Sequence, residues 1–106
     1  MKRDEQLKVN QFCDVIMGAV YDALRNRVDW QPFRTCQAST AALNGSITVL
    51  KSYNTVVAVV VENPKRGNVG IDYLRYAYGY TATSAQHIAK FFNDYGVSHR
   101  YTWREV

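Results

Sequence analysis

The sequence predicts an α+β domain: an N-terminal helix, a four-stranded antiparallel meander, a second helix and a short C-terminal edge strand. Three observations carry that prediction. Apolar residues recur at helical spacing up to residue 24. Six consecutive apolar residues, five of them valine, begin at Val56. Turn residues punctuate the stretches on either side of that run.

The chain of 106 residues is long enough for one domain with its own core. Residues 4–27 read as one helix. Val9, Phe12, Cys13, Ile16, Val20, Ala23 and Leu24 fall at three- and four-residue steps and form a stripe to bury. Lys8, Gln11, Asp14, Asp22 and Arg25 lie mostly away from it. Asp4 and Glu5 suit the positive helix end, and Arg25 and Arg27 the negative one. Gly18 weakens a helix interior by roughly 1 kcal/mol against alanine, so either another backbone approaches closely or a weak point is tolerated.

Residues 28–37 read as a connector, because Pro32 holds Gln31 in extended geometry. Trp30 and Phe33 are expected to pin it to the core. A strand over 39–43, the pair Asn44-Gly45 and a strand over 46–52 form a hairpin signal. Tyr53-Asn54 makes the next turn, since asparagine tolerates turn geometry. The valine run then returns as a strand. Valine is stiff at χ1 and suits a pleated backbone. The run does not alternate with polar residues, so both its faces need cover.

Residues 62–70, containing Asn-Pro-Lys-Arg-Gly-Asn, read as an exposed loop. A fourth strand is predicted over 71–80. Leu74, Tyr76, Tyr78 and Tyr80 take one face, and Ile71, Tyr73, Arg75, Ala77 and Gly79 the other. Thr83 and Gln86 have the spacing of a capping box. The helix they open buries Ile88, Phe91, Phe92 and Tyr95, and Gly96 stops it. In residues 98–104, His99, Tyr101 and Trp103 alternate with Arg100, Thr102 and Arg104, which reads as a short edge strand.

Composition narrows the function classes. The net charge is +4 and the pI near 9.2, compatible with an anionic partner without requiring one. Two cysteines, Cys13 and Cys36, are too few for a disulfide scaffold, and Cys13 is expected buried. Met1-Lys2-Arg3-Asp4-Glu5 leads into no apolar signal core, and no stretch has the length to span a bilayer. A cytoplasmic location is the expectation.

No cofactor is expected and no metal, since His87 and His99 have no zinc-type spacing to other ligands. No small-molecule substrate is expected either. Ser84 and His87 stand three residues apart without a carboxylate to orient the imidazole. Capping explains the hydroxyls better. His87 is expected to be structural, bonded to the Tyr53-Asn54 turn or to Thr81. The useful signal is the mixture of tyrosine and arginine. Aromatic faces for bases and cations for phosphates are what a single-strand binder needs. The candidate contact residues are Lys65, Arg66, Tyr73, Arg75, Arg100, Tyr101 and Arg104, with Arg100 and Arg104 on one face beside Tyr101 and Trp103.

Two patches carry a resemblance. Ser52-Tyr53-Asn54-Thr55 precedes the apolar strand, and Tyr80-Thr81-Ala82-Thr83-Ser84-Ala85-Gln86-His87-Ile88 opens the second helix. Together they resemble a family of small uncharacterised proteins of bacteriophages, prophages and plasmids. The likeness covers residues 41–95. Thr83, Ser84 and His87 match the family's helix start, and Ala82 departs from it at a hydroxyl position. Tyr53, Asn54, Thr55, Thr83, Gln86 and His87 are the structural motif residues. The strand-then-helix order is similar to the PC4-like single-stranded-DNA-binding fold and to some phage-derived anti-CRISPR proteins. The phage-protein family has no assigned chemistry to carry over; the resemblance, the small size, the basic balance and the missing catalytic set together point to a non-enzymatic binding protein acting on nucleic acid or on a host nucleoprotein such as a CRISPR effector. The alternative is a homodimeric interaction module without nucleic-acid affinity, in which a second subunit covers the apolar strand.

Overall fold

A computed structural model describes residues 3–33, 35–43, 46–74 and 82–103. Helix α1 (Arg3–Leu24) leads into strands β1 (Gln31–Phe33), β2 (Thr35–Ala42), β3 (Ile47–Ser52), β4 (Thr55–Val61) and β5 (Asn68–Asp72). Helix α2 (Ala82–Asp94) and strand β6 (Val97–Thr102) follow. All six strands form one sheet in chain order. The first five pair antiparallel, and β6 pairs parallel to β5. A parallel neighbour needs a crossover, and α2 lies within it.

The α+β class therefore holds, but the four-stranded meander becomes a mixed six-stranded sheet. Two strands sit where the sequence reads as connector or loop. β1 contains Pro32, which lacks an N–H and is tolerated because β1 is an edge. β5 starts at Asn68, inside the stretch 62–70 that reads as a loop, and ends at Asp72, two residues into the expected fourth strand. The Asn44-Gly45 turn and the expected strand beyond Leu74 lie outside the described residues.

The two helices cover opposite faces of the sheet. Cys13, Met17 and Val20 of α1 pack with Ala41, Val49, Val56, Val59, Ile71 and Tyr73. Ile88, Phe91 and Phe92 of α2 pack with Phe33, Ala38, Leu50, Val57, Ala58 and Val60. The valine strand lies between them, and residues 56–60 are all buried. Burying each large side chain here contributes about 1.5–3 kcal/mol. The pairing register slips between Leu50 and Lys51, leaving Val57 as an extra residue on β4. That bulge lets Val57 and Ala58 both join the α2 core. The chain itself thus supplies both covers that the strand requires.

Details of the helices correct the sequence expectations. Met17 is buried, whereas Phe12 of the expected stripe is 38% exposed. Burial pushes the Cys13 thiol up to about 11, as expected of an inert core cysteine. A Cβ on Gly18 would meet nothing within 4 Å, so no close approach explains this glycine. α2 begins at Ala82, which places Thr83 inside the first turn rather than at the cap. The Thr83 side chain falls outside the description, so its capping bond does too. The helix does end as expected: Gly96 has φ +60 and its amide donates to the Asn93 carbonyl at 3.2 Å.

Candidate functional site

The two sequence motifs meet in space. Ser52 is the last residue of β3, just before the Tyr53-Asn54 turn. Ser84 and His87 are three apart on α2 and so share a face. Ser52 Oγ lies 3.0 Å from Ser84 Oγ and 3.1 Å from His87 Nδ1. The three residues are only 2–3% exposed. This cluster ties the β3–β4 turn to the start of α2. The sequence leads one to expect His87 bonded to the Tyr53-Asn54 turn or to Thr81; it meets Ser52, immediately before that turn, and Thr81 lies outside the described residues. Ser52 had no assigned role, although its place in the first motif was a usable signal.

Such a hydroxyl–imidazole pair also occurs in nucleophilic catalysis, but a substrate would have to reach groups closed to solvent. Among the described residues, no group of three or more His, Cys, Asp or Glu residues could hold a metal. Burial, with a smaller effect from Lys90, lowers the His87 pKa. The unfolded chain therefore takes up the proton first. The stabilisation is complete above the unfolded value of about 6.5 and is lost as pH falls through it toward the folded value. Urea midpoints should fall between about pH 7 and 5. A His87→Gln variant should show a shallower slope over that range, and an identical slope would refute the assignment.

The basic candidates divide into separate places. Lys65 and Arg66 are exposed on the β4–β5 loop, at the end of the sheet where β5 and β6 begin. The loop beneath them is fixed. Asn63 Oδ1 accepts from the amides of Lys65 at 2.9 Å and Arg66 at 3.1 Å. The Asn63 carbonyl accepts from Gly67 N at 2.9 Å. Asn68 then joins the loop to α2, with its Oδ1 accepting from Asn63 N at 3.3 Å and its Nδ2 donating to the Tyr95 carbonyl at 2.6 Å.

Arg100 lies further along β6. Its guanidinium donates to Asp72 Oδ2 at 2.9 Å and sits 5.2 Å from the Phe92 ring centre. The Arg100 side chain is half exposed and that of Asp72 nearly buried. Tyr101 is on the opposite face, as strand alternation requires, with its ring edge-on to Phe12 at 6.3 Å. Arg100 and Tyr101 therefore do not form one stacking surface. Tyr73 is a clearer correction: it is fully buried and its hydroxyl donates to the Cys13 carbonyl at 2.6 Å. Burial raises its pKa, and no base can reach its ring. Arg75 and Arg104 lie outside the described residues.

Sequence reasoning missed one surface feature. Lys8, Val9 and Phe12 of α1 form a groove of about 290 Å³ with Val69 and Tyr101. Phe12 read as a core residue because its spacing fits the stripe. Comparison with family models, with curated proteins and with solved structures finds no match to the chain.

Proposed function

We propose that this is a non-enzymatic binding protein of a mobile genetic element, acting in the cytoplasm on nucleic acid or on a host nucleoprotein such as a CRISPR effector. The observation that carries the reading is the Lys65-Arg66 pair. Its backbone amides are held by donating to the Asn63 side-chain oxygen, while both cationic side chains stand in solvent. A fixed loop presenting two free cations suits phosphate contact, because little ordering is left to do on binding. Arg100, half exposed on the neighbouring edge strand, is paired with Asp72 and adds little net charge to that surface. The phage-type motifs and the net charge of +4 agree with it.

Fluorescence anisotropy with labelled oligonucleotides tests the reading. The double variant Lys65→Glu, Arg66→Glu should weaken binding at low salt and reduce the salt slope by about 1.4 for a single strand. Absence of binding to any oligonucleotide or nucleoprotein at low salt would defeat the proposal. Arg100 is the poorer probe, since Arg100→Glu would set a carboxylate against Asp72. The alternative of a homodimeric module loses its first motive, because α1 and α2 already cover β4. Its remaining support is the exposure of Val15 at 71% and Leu7 at 45% on α1. Light scattering over a concentration series decides it, and a strict monomer removes it.

A further inference from the structure

Only two residues, Tyr53 and Asn54, join β3 to β4. Tyr53 has φ +56, in the left-handed region. There the Cβ of an L residue crowds its own carbonyl, at a cost of order 1–2 kcal/mol. Gly67 and Gly96, the positive-φ glycines among the described residues, follow the steric rule. Tyr53 breaks it, although an asparagine, which tolerates that geometry, is its neighbour. Among the described residues no hydrogen bond or ring contact accounts for the choice. The residue is 52% exposed, and among the described residues its ring has no hydrogen bond or ring contact.

The base of the turn is nevertheless rigid, because Ser52 is buried and joined to Ser84 and His87. The half-exposed side chain thus starts from a fixed mount. Among the described residues, the two strands that the turn joins carry no acid. β3, β4 and the first nine residues of α2 contain no aspartate or glutamate. Asp72, on the adjoining β5, is neutralised by Arg100. Asn54 and Gln86 are exposed at this end; Lys90, also exposed, follows about one turn further along α2 and is near enough to act electrostatically on His87. A half-exposed aromatic ring, amide groups and an ammonium match an unpaired base and its phosphate.

We propose that Tyr53 is a stacking platform for an unpaired base of single-stranded nucleic acid, with Lys90 taking a neighbouring phosphate. This rests on the nucleic-acid reading above and deepens it. The site is distinct from Lys65 and Arg66, which lie beyond the opposite end of β4. Duplex DNA keeps its base faces stacked inside and offers nothing to this ring.

The test compares the wild type with Tyr53→Gly and Tyr53→Phe, using a labelled oligothymidylate and a duplex of equal length across a salt series. Glycine suits the backbone here, so Tyr53→Gly should fold with an equal or higher thermal midpoint. Its affinity for the single strand should fall roughly tenfold or more. Its salt slope should not change, since no charge is lost. Duplex affinity should be unaffected, and Tyr53→Phe should bind as the wild type does. Wild-type affinity for the single strand in Tyr53→Gly, or an equal loss on both probes, overturns the stacking role and leaves the wider reading standing. A wild type that binds neither probe defeats this inference and direct nucleic-acid contact together.

Discussion

Replacing Phe91 with alanine is expected to destabilise the protein by about 3–5 kcal/mol. The side chain is fully buried at the centre of the α2 core. It meets Phe33 edge-on at 6.0 Å, Phe92 at 5.9 Å and Tyr95 at 4.9 Å between ring centres. Phe33 belongs to β1, at the far edge of the sheet from β6. One ring therefore joins the second helix to the outermost strand. Its removal leaves a cavity whose aromatic walls cannot all collapse inward. A domain of this size has of order 5–15 kcal/mol to lose, so a urea midpoint should drop by about a fifth or more. A loss below about 1 kcal/mol would show that α2 does not share the core described here.

Gly70→Ala should cost about 1–3 kcal/mol by overpacking. The new methyl carbon would lie 2.9 Å from Cε1 of Phe92 and 3.0 Å from its Cδ1 and Cζ. Phe92 is 6% exposed and has little room to retreat. It also lies beneath the Arg100 guanidinium, so displacing the ring disturbs the Arg100–Asp72 pair. Thermal unfolding of Gly70→Ala, of Phe92→Leu and of the double variant measures the coupling. The smaller leucine should recover part of the loss. Simple additivity would mean that the methyl group clashes with something else.

The parts of this architecture visible in the sequence are those where one local rule acts alone. The valine run has no alternation, which identifies a strand enclosed on both sides. The helix stop at Gly96 follows from its left-handed backbone. Where two rules compete, sequence reasoning selects the wrong one. Pro32 argues against a strand, yet a three-residue edge strand tolerates it. Residues 68–70 read as the end of an exposed loop but open β5, where Gly70 is small because a phenyl ring presses on the strand. Phe12 has the spacing of a core residue and remains partly exposed, because the helix turns Cys13 and Met17 toward the sheet. The Ser52–His87 contact depends on tertiary placement, since its partners are 35 residues apart. The seven contact candidates were chosen by residue type, and chemistry alone cannot distinguish a core tyrosine such as Tyr73 from a surface one.

The contacts between α1 and β6 have a consequence for the order of assembly. Gln6 donates to the Thr102 carbonyl across 96 residues, and Asp14 accepts from the Trp103 indole across 89. Closing a loop of that length is entropically harder than zipping adjacent hairpins. β2 to β5 should acquire their register first, and the first helix and final strand should clasp last. Amide exchange would then find the outer protons of β6 opening well before those of β4.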